Sequence, residues 1–181
     1  MGIEASRTEE TLNGLHPMKL EEVLISLKDP EVLKTTSGPW KARVVWNGGF
    51  SVKAYMRNHV VEMDEPHELA ATDKSATAHE QLLSAIGACL SVGFILNATI
   101  NRIKIHDMEI ALEAHFDTIQ KWAGLCETGN PGYRSITAKL TVKADADEAT
   151  LRNLWNKALE GSPVTQSVIR GTAVTLEFEA D

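Results

Sequence analysis

Cysteine is scarce in this 181-residue chain, occurring only as Cys89 and Cys126. Two thiols cannot build a disulfide scaffold, and so few of them fit a reducing compartment. Clusters of basic residues are missing as well. The chain carries 18 Lys and Arg against 25 Asp and Glu, a net charge of −7. That balance argues against nucleic acid and anionic membrane surfaces as partners. The histidines (His16, His59, His67, His79, His106 and His115) show no ligand spacing, and no His-Glu-x-x-His or Cys-x-x-Cys occurs. No metal is therefore expected. A Gly-x-Gly-x-x-Gly or phosphate-binding loop is also absent, so no nucleotide and no other cofactor is expected. The first ten residues hold acids and no apolar run, which is unlike a secretion signal, and the chain reads as cytoplasmic.

What remains is the composition of an ordinary globular domain. Hydrophobic residues make up 43% and charged residues 24%, over a length that can bury a core without staples. Residues 1–38 read as a helical appendage, with Leu20, Val23, Leu24 and Leu27 on one amphipathic face. Asp29-Pro30 then stops one helix and caps the next. From Trp40 the period changes to two. Ala42, Val44 and Trp46 alternate, Asn47-Gly48-Gly49 signals a hairpin, and Val52, Ala54 and Met56 alternate again. His59 to Met63 forms a third short strand, and Asp64 to Ser75 a polar loop.

A long helix is expected from about Ala78 to Arg102. After it come a strand with Met108, Ile110, Leu112, Ala114 and Phe116 on one face, and a loop holding Cys126. Another strand follows, with Ile136, Ala138, Leu140 and Val142 on one face. A helix over Asp147–Glu160 ends at Gly161, Ser162-Pro163 opens a short helix, and Val174, Leu176 and Phe178 suggest a last strand. Strands with one wet face packed on helices make an α+β fold with antiparallel sheets around a long helix. The domain itself spans residues 39–181.

Between Gln81 and Asn101 no side chain is charged. The stretch could cross a membrane, at about 30 Å as a helix. It also contains Gln81, Ser84, Ser91, Asn97, Thr99 and Asn101, and no second such stretch exists, so it reads as a core helix. It has no polar face of its own, so a symmetric partner is expected to cover part of it in a homodimer.

Cys89 lies in this helix between Ala88 and Leu90, just after Gly87. With so little bulk around it, the thiol is open to close approach and is the candidate for chemistry; its plain reading is a small buried hydrophobe. Thr77-Ala-His-Glu80 has the spacing of a capping box, which gives Glu80 a structural reading. Nine residues separate Glu80 from Cys89, about 900° of helix, so the two do not share a face.

The loop Asp64-Glu65-Pro66, the stretch Glu80-Gln-Leu-Leu-Ser-Ala-Ile-Gly-Ala-Cys89 and the turn Ser162-Pro163-Val164 resemble the OsmC/Ohr family. These are the osmotically inducible protein C and organic hydroperoxide resistance proteins, and the likeness covers residues 40–181. The resemblance implies an intertwined homodimer whose sheets wrap two central helices. It also implies a peroxidase in which the cysteine matching Cys89 attacks an organic hydroperoxide and a glutamate matching Glu80 pairs with a thiolate-steadying arginine. A second cysteine in a Cys-Pro-Val turn then resolves the product as a disulfide. Here Ser162 occupies that turn, and Asn47-Gly48-Gly49-Phe50-Ser51 has no basic residue, although Arg43 and Arg57 lie nearby in sequence. A thiol reductant from outside would then resolve Cys89; Cys126 is the internal alternative, or else an incidental loop cysteine. The second functional expectation is a non-catalytic protein binding a small apolar ligand near Cys89.

Overall fold

The computed structural model describes residues 11–180 and divides into two compact units, the division falling within the long helix between Ser84 and Ala85. The first unit opens with helices α1 (Pro17–Ser26) and α2 (Pro30–Thr36), each with proline in its first turn, where a missing N–H costs nothing. The Asp29 carboxylate accepts from the Glu31 N–H at 2.9 Å and so caps α2. Along the expected amphipathic face, Leu20, Leu24 and Leu27 are half-buried and Val23 is exposed.

Strands β1 (Arg43–Trp46), β2 (Val52–Met56) and β3 (His59–Met63) form an antiparallel sheet in that order. The β1–β2 loop turns on Gly48 and Gly49, both at positive φ, where a side chain would be strained. The register explains why these residues pair. Val44 faces Ala54, Trp46 faces Val52, and Ala54 faces Val61 in turn, which puts the apolar residues on one face. On the other face Lys53 meets Glu62 at 2.8 Å, and the Arg43 guanidinium lies 4.5 Å from the centre of the Tyr55 ring. The loop after β3 contains a short 3₁₀ turn over His67–Leu69. That loop is tied to the buried Asp64, whose carboxylate accepts from the Thr72 hydroxyl at 2.5 Å and the Lys74 N–H at 3.3 Å. The Thr72 bond, more than any other contact, holds the Asp64 carboxyl below its ordinary value.

Helix α3 (Ala78–Ile100) runs into the second unit. There β4 (Ile105–Phe116) and β5 (Tyr133–Ala144) pair antiparallel over their full lengths, with Met108 facing Val142, Ile110 facing Leu140 and Leu112 facing Ala138. Their burial alternates residue by residue, as a sheet with one wet face requires. The connection between them contains a single turn of helix, α4 (Ile119–Trp122). Helix α5 (Glu148–Gly161) is capped by Asp147, and α6 (Pro163–Arg170) ends at Gly171 at φ +63°. Phe94 and Ala98 of α3 join Leu154 and Ala158 of α5 in a buried cluster flanked by Ile103, Ile105, Met108, Leu140, Val142, Leu151 and Trp155.

The expected α+β plan of antiparallel strands and a long helix is therefore present. One element is not. Residues 172–180 are in no strand, and Val174, Leu176 and Phe178 stand 82–93% exposed. The alternation is a strand pattern, but a strand exists only against another edge, and none among the described residues pairs with this segment.

Two glycines set how closely α3 packs. A Cβ on Gly93 would sit 3.2 Å from the Ala158 Cα and 3.4 Å from its carbonyl oxygen, so α3 and α5 touch backbone to backbone. Gly93→Val is expected to lower unfolding free energy by about 2–3 kcal/mol, because overpacking against a helix backbone has no side chain to move aside. A denaturant midpoint equal to wild type would refute the close approach.

Candidate functional site

Helix α3 carries half-buried polar residues whose side chains bond the helix's own backbone. The Ser91 hydroxyl donates to the Gly87 carbonyl at 2.9 Å, and the Asn97 amide to the Gly93 carbonyl at 2.7 Å. This keeps those groups satisfied where no water or partner chain is needed. Gly87 lies against β4, where a Cβ would come within 2.7 Å of Leu112 Cδ1. Cys89 therefore stands between two glycines, Gly87 and Gly93, that are both used up in packing. Its thiol is free and half-buried, and among the described residues it has no hydrogen bond or ion pair.

Glu80 begins the same helix. The Thr77 backbone N–H donates to Glu80 Oε2 at 2.8 Å, the Thr77 hydroxyl donates to it at 3.0 Å, and the Glu80 N–H returns to Thr77 Oγ1 at 3.2 Å. This is the capping box expected from the spacing. Those bonds, the backbone one foremost, hold the Glu80 carboxyl below its ordinary value of 4.5. Because α3 is unbroken from Ala78 to Ile100, Glu80 and Cys89 remain about half a turn out of phase.

Ser162 joins α5 to α6 and is 1% exposed. Its hydroxyl donates to Thr165 Oγ1 at 2.8 Å and accepts from the Thr165 N–H at 3.2 Å, so its only proton and one lone pair are committed. Sequence reading assigned the cap but missed the hydroxyl partner; the Ser-x-x-Thr spacing was the available signal. Cys126, in the β4–β5 connection, is also free and its thiol donates to the Thr128 carbonyl at 3.4 Å. Among the described residues no group of His, Cys, Asp and Glu is arranged to hold a metal.

Residues 71–177 match the family model described as OsmC-like protein. No curated protein sequence matches the chain. Among solved structures, the OsmC-like protein of Mycoplasma pneumoniae superposes with a TM-score of 0.63 at 19% identity, covering 75% of this chain and 89% of the other. A Legionella pneumophila organic hydroperoxide resistance protein OsmC, described as a predicted redox protein and regulator of sulfide bond formation, gives 0.54 at 13% identity over 72% and 90%. The organic hydroperoxide resistance protein OhrB of Bacillus subtilis gives 0.50 at 22% over 75% and 94%. At these identities the likeness is one of fold.

The capping box carries a pH dependence with a definite sign. A carboxyl lowered by folding contributes stability that is complete above its unfolded value and is lost as pH falls through the folded one. Glu80→Gln is expected to cost about 0.3–1 kcal/mol at neutral pH, from the lost charge at the helix N-terminus. The difference from wild type should vanish in acid below the ordinary carboxyl range. Thermal unfolding across that range checks it, and a gap independent of pH would assign the stabilisation elsewhere.

Proposed function

We propose, because this chain belongs to the OsmC-like protein family, that it is a thiol-dependent peroxidase reducing organic hydroperoxides through Cys89. The observation that carries the reading is the free, half-buried Cys89 on α3, inside the matched residues and set between packing glycines. In this mechanism the Cys89 thiolate attacks the distal oxygen of ROOH. The O–O bond breaks, ROH leaves once its alkoxide is protonated, and Cys89 becomes a sulfenic acid. An external thiol then attacks that sulfur, releasing water and leaving a mixed disulfide, and a second thiol frees Cys89 and departs as the oxidised disulfide. Ser162 cannot take the second role, since an oxygen forms no disulfide and its proton is held by Thr165.

Thiolate chemistry needs a stabilising cation, and Cys89 is ion-paired with none among the described residues. The reading includes a homodimer, in which the partner subunit would bring that cation. Val92 on α3 is 66% exposed, and Leu176 and Phe178 are 89% and 93% exposed, an apolar surface that a lone chain leaves in water. Glu80 acts, in this reading, through an arginine rather than directly on Cys89. Sedimentation equilibrium should return twice the 19.8 kDa chain mass; a monomer at micromolar concentration would remove the dimer.

The committed Ser162 hydroxyl and the unpaired Cys89 favour one other reading, a non-catalytic protein that binds a small apolar ligand. Turnover of cumene hydroperoxide with a dithiol separates the two. Wild type is expected to consume peroxide and Cys89→Ser to lose at least about a hundredfold of that rate, well beyond the scatter of a surface substitution. Ser162→Cys is expected to form a peroxide-driven disulfide with Cys89, visible as loss of both free thiols. No consumption by wild type, with Cys89 unreactive, would leave the binding reading.

A further inference from the structure

The first unit holds a cleft of ≈ 780 Å³ between the end of α2 and the β2–β3 turn. Its lining is mostly apolar, from Pro39, Trp40, Ala42 and Met56, with two cations, Lys41 and Arg57. The volume is that of a pocket for a medium-sized organic ligand. Trp40 is 76% exposed, a large aromatic surface left in water. The preceding Gly38 sits at φ +115°, where a Cβ would meet the Trp40 backbone nitrogen at 2.9 Å.

The two cations differ from the others on the same sheet. Lys53 is paired with Glu62, and Arg43 covers the Tyr55 ring. Lys41 and Arg57 have no such partner among the described residues, and no acid lines the cleft, in a chain with 25 acids against 18 bases. Arg57 also occupies the first position of the two-residue β2–β3 turn at φ +56°, where glycine or asparagine would fit with less strain. The turn itself does not call for an arginine there.

We propose that this cleft binds an amphipathic organic anion, a carboxylate whose apolar body lies on Trp40 and Met56 and whose head meets Lys41 and Arg57. A small inorganic anion would leave the Trp40 surface wet, and a neutral apolar molecule would leave both cations unused. The arginine fork matches a carboxylate with two parallel hydrogen bonds, and the lysine adds a point charge. The inference does not rest on the thiol chemistry.

Calorimetric titration of the full chain with sodium decanoate below its micelle concentration tests the inference, with 1-decanol and sodium acetate as the neutral and tail-less arms. Saturable one-to-one binding of decanoate is expected, weakened at least about tenfold in the Lys41→Gln/Arg57→Gln variant. Decanol binding should be weaker in wild type and equal in both proteins, and acetate should not saturate. Added salt should weaken decanoate but not decanol in wild type, a readout that needs no variant to fold. Absence of saturable decanoate binding, equal decanoate affinity in the folded double variant, or insensitivity to salt would each overturn the proposal.

Discussion

A helix with no charged side chain over most of its length is stabilised by burial, and one side of α3 is buried by letting other elements come close. Gly93 admits the Ala158 backbone and Gly87 admits the Leu112 side chain, so α5 and β4 of the second unit seat directly on it. Phe94, Ala98, Leu154 and Ala158 close the resulting core. By length and composition α3 also qualifies as a membrane span, yet Ile86, Leu90, Phe94 and Ala98 are buried against protein. Polar side chains within it are quieted by their own carbonyls, which removes the usual cost of a buried amide or hydroxyl.

The same packing determines what can happen at Cys89. Glycines on either side bring neighbouring elements near, leaving the thiol half-buried with no bonded partner among the described residues. The two positions that the family resemblance pairs with it, Glu80 and Ser162, both serve as helix caps here. A cap requires only an oxygen aimed at the first-turn N–H groups, a demand that serine meets as well as any residue. Redox resolution requires sulfur. Serine at this turn thus preserves the start of α6 but forms no disulfide.

The apolar surface that each unit leaves in water belongs to the same picture. Val44 and Trp46 on β1, and Val174, Leu176 and Phe178 near the C-terminus, are too exposed for a finished core. Single exposed apolar residues are ordinary; several close together in the chain make an apolar surface left in water. The cleft at Trp40 differs from those faces by its two unpaired cations, which is why a charged small molecule suits it better than another apolar face.

Much of this was legible in the chain. Period-two alternation located β1, β2, β4 and β5, and Asp29, Thr77, Asp147 and Ser162 marked helix starts, because capping and pleating are local and read within a few residues. The α+β plan and the family likeness follow from that order and from the Glu80–Cys89 and Ser162–Val164 segments. The final alternation at Val174, Leu176 and Phe178 was misleading, since a period states which residues share a face but not whether an edge exists to receive them. Tertiary structure alone decided that Gly87 and Gly93 are contact points, that Thr165 takes the Ser162 proton, and that Lys41 and Arg57 share a cleft with Trp40. Each depends on groups brought together through space, which local spacing along a chain does not encode.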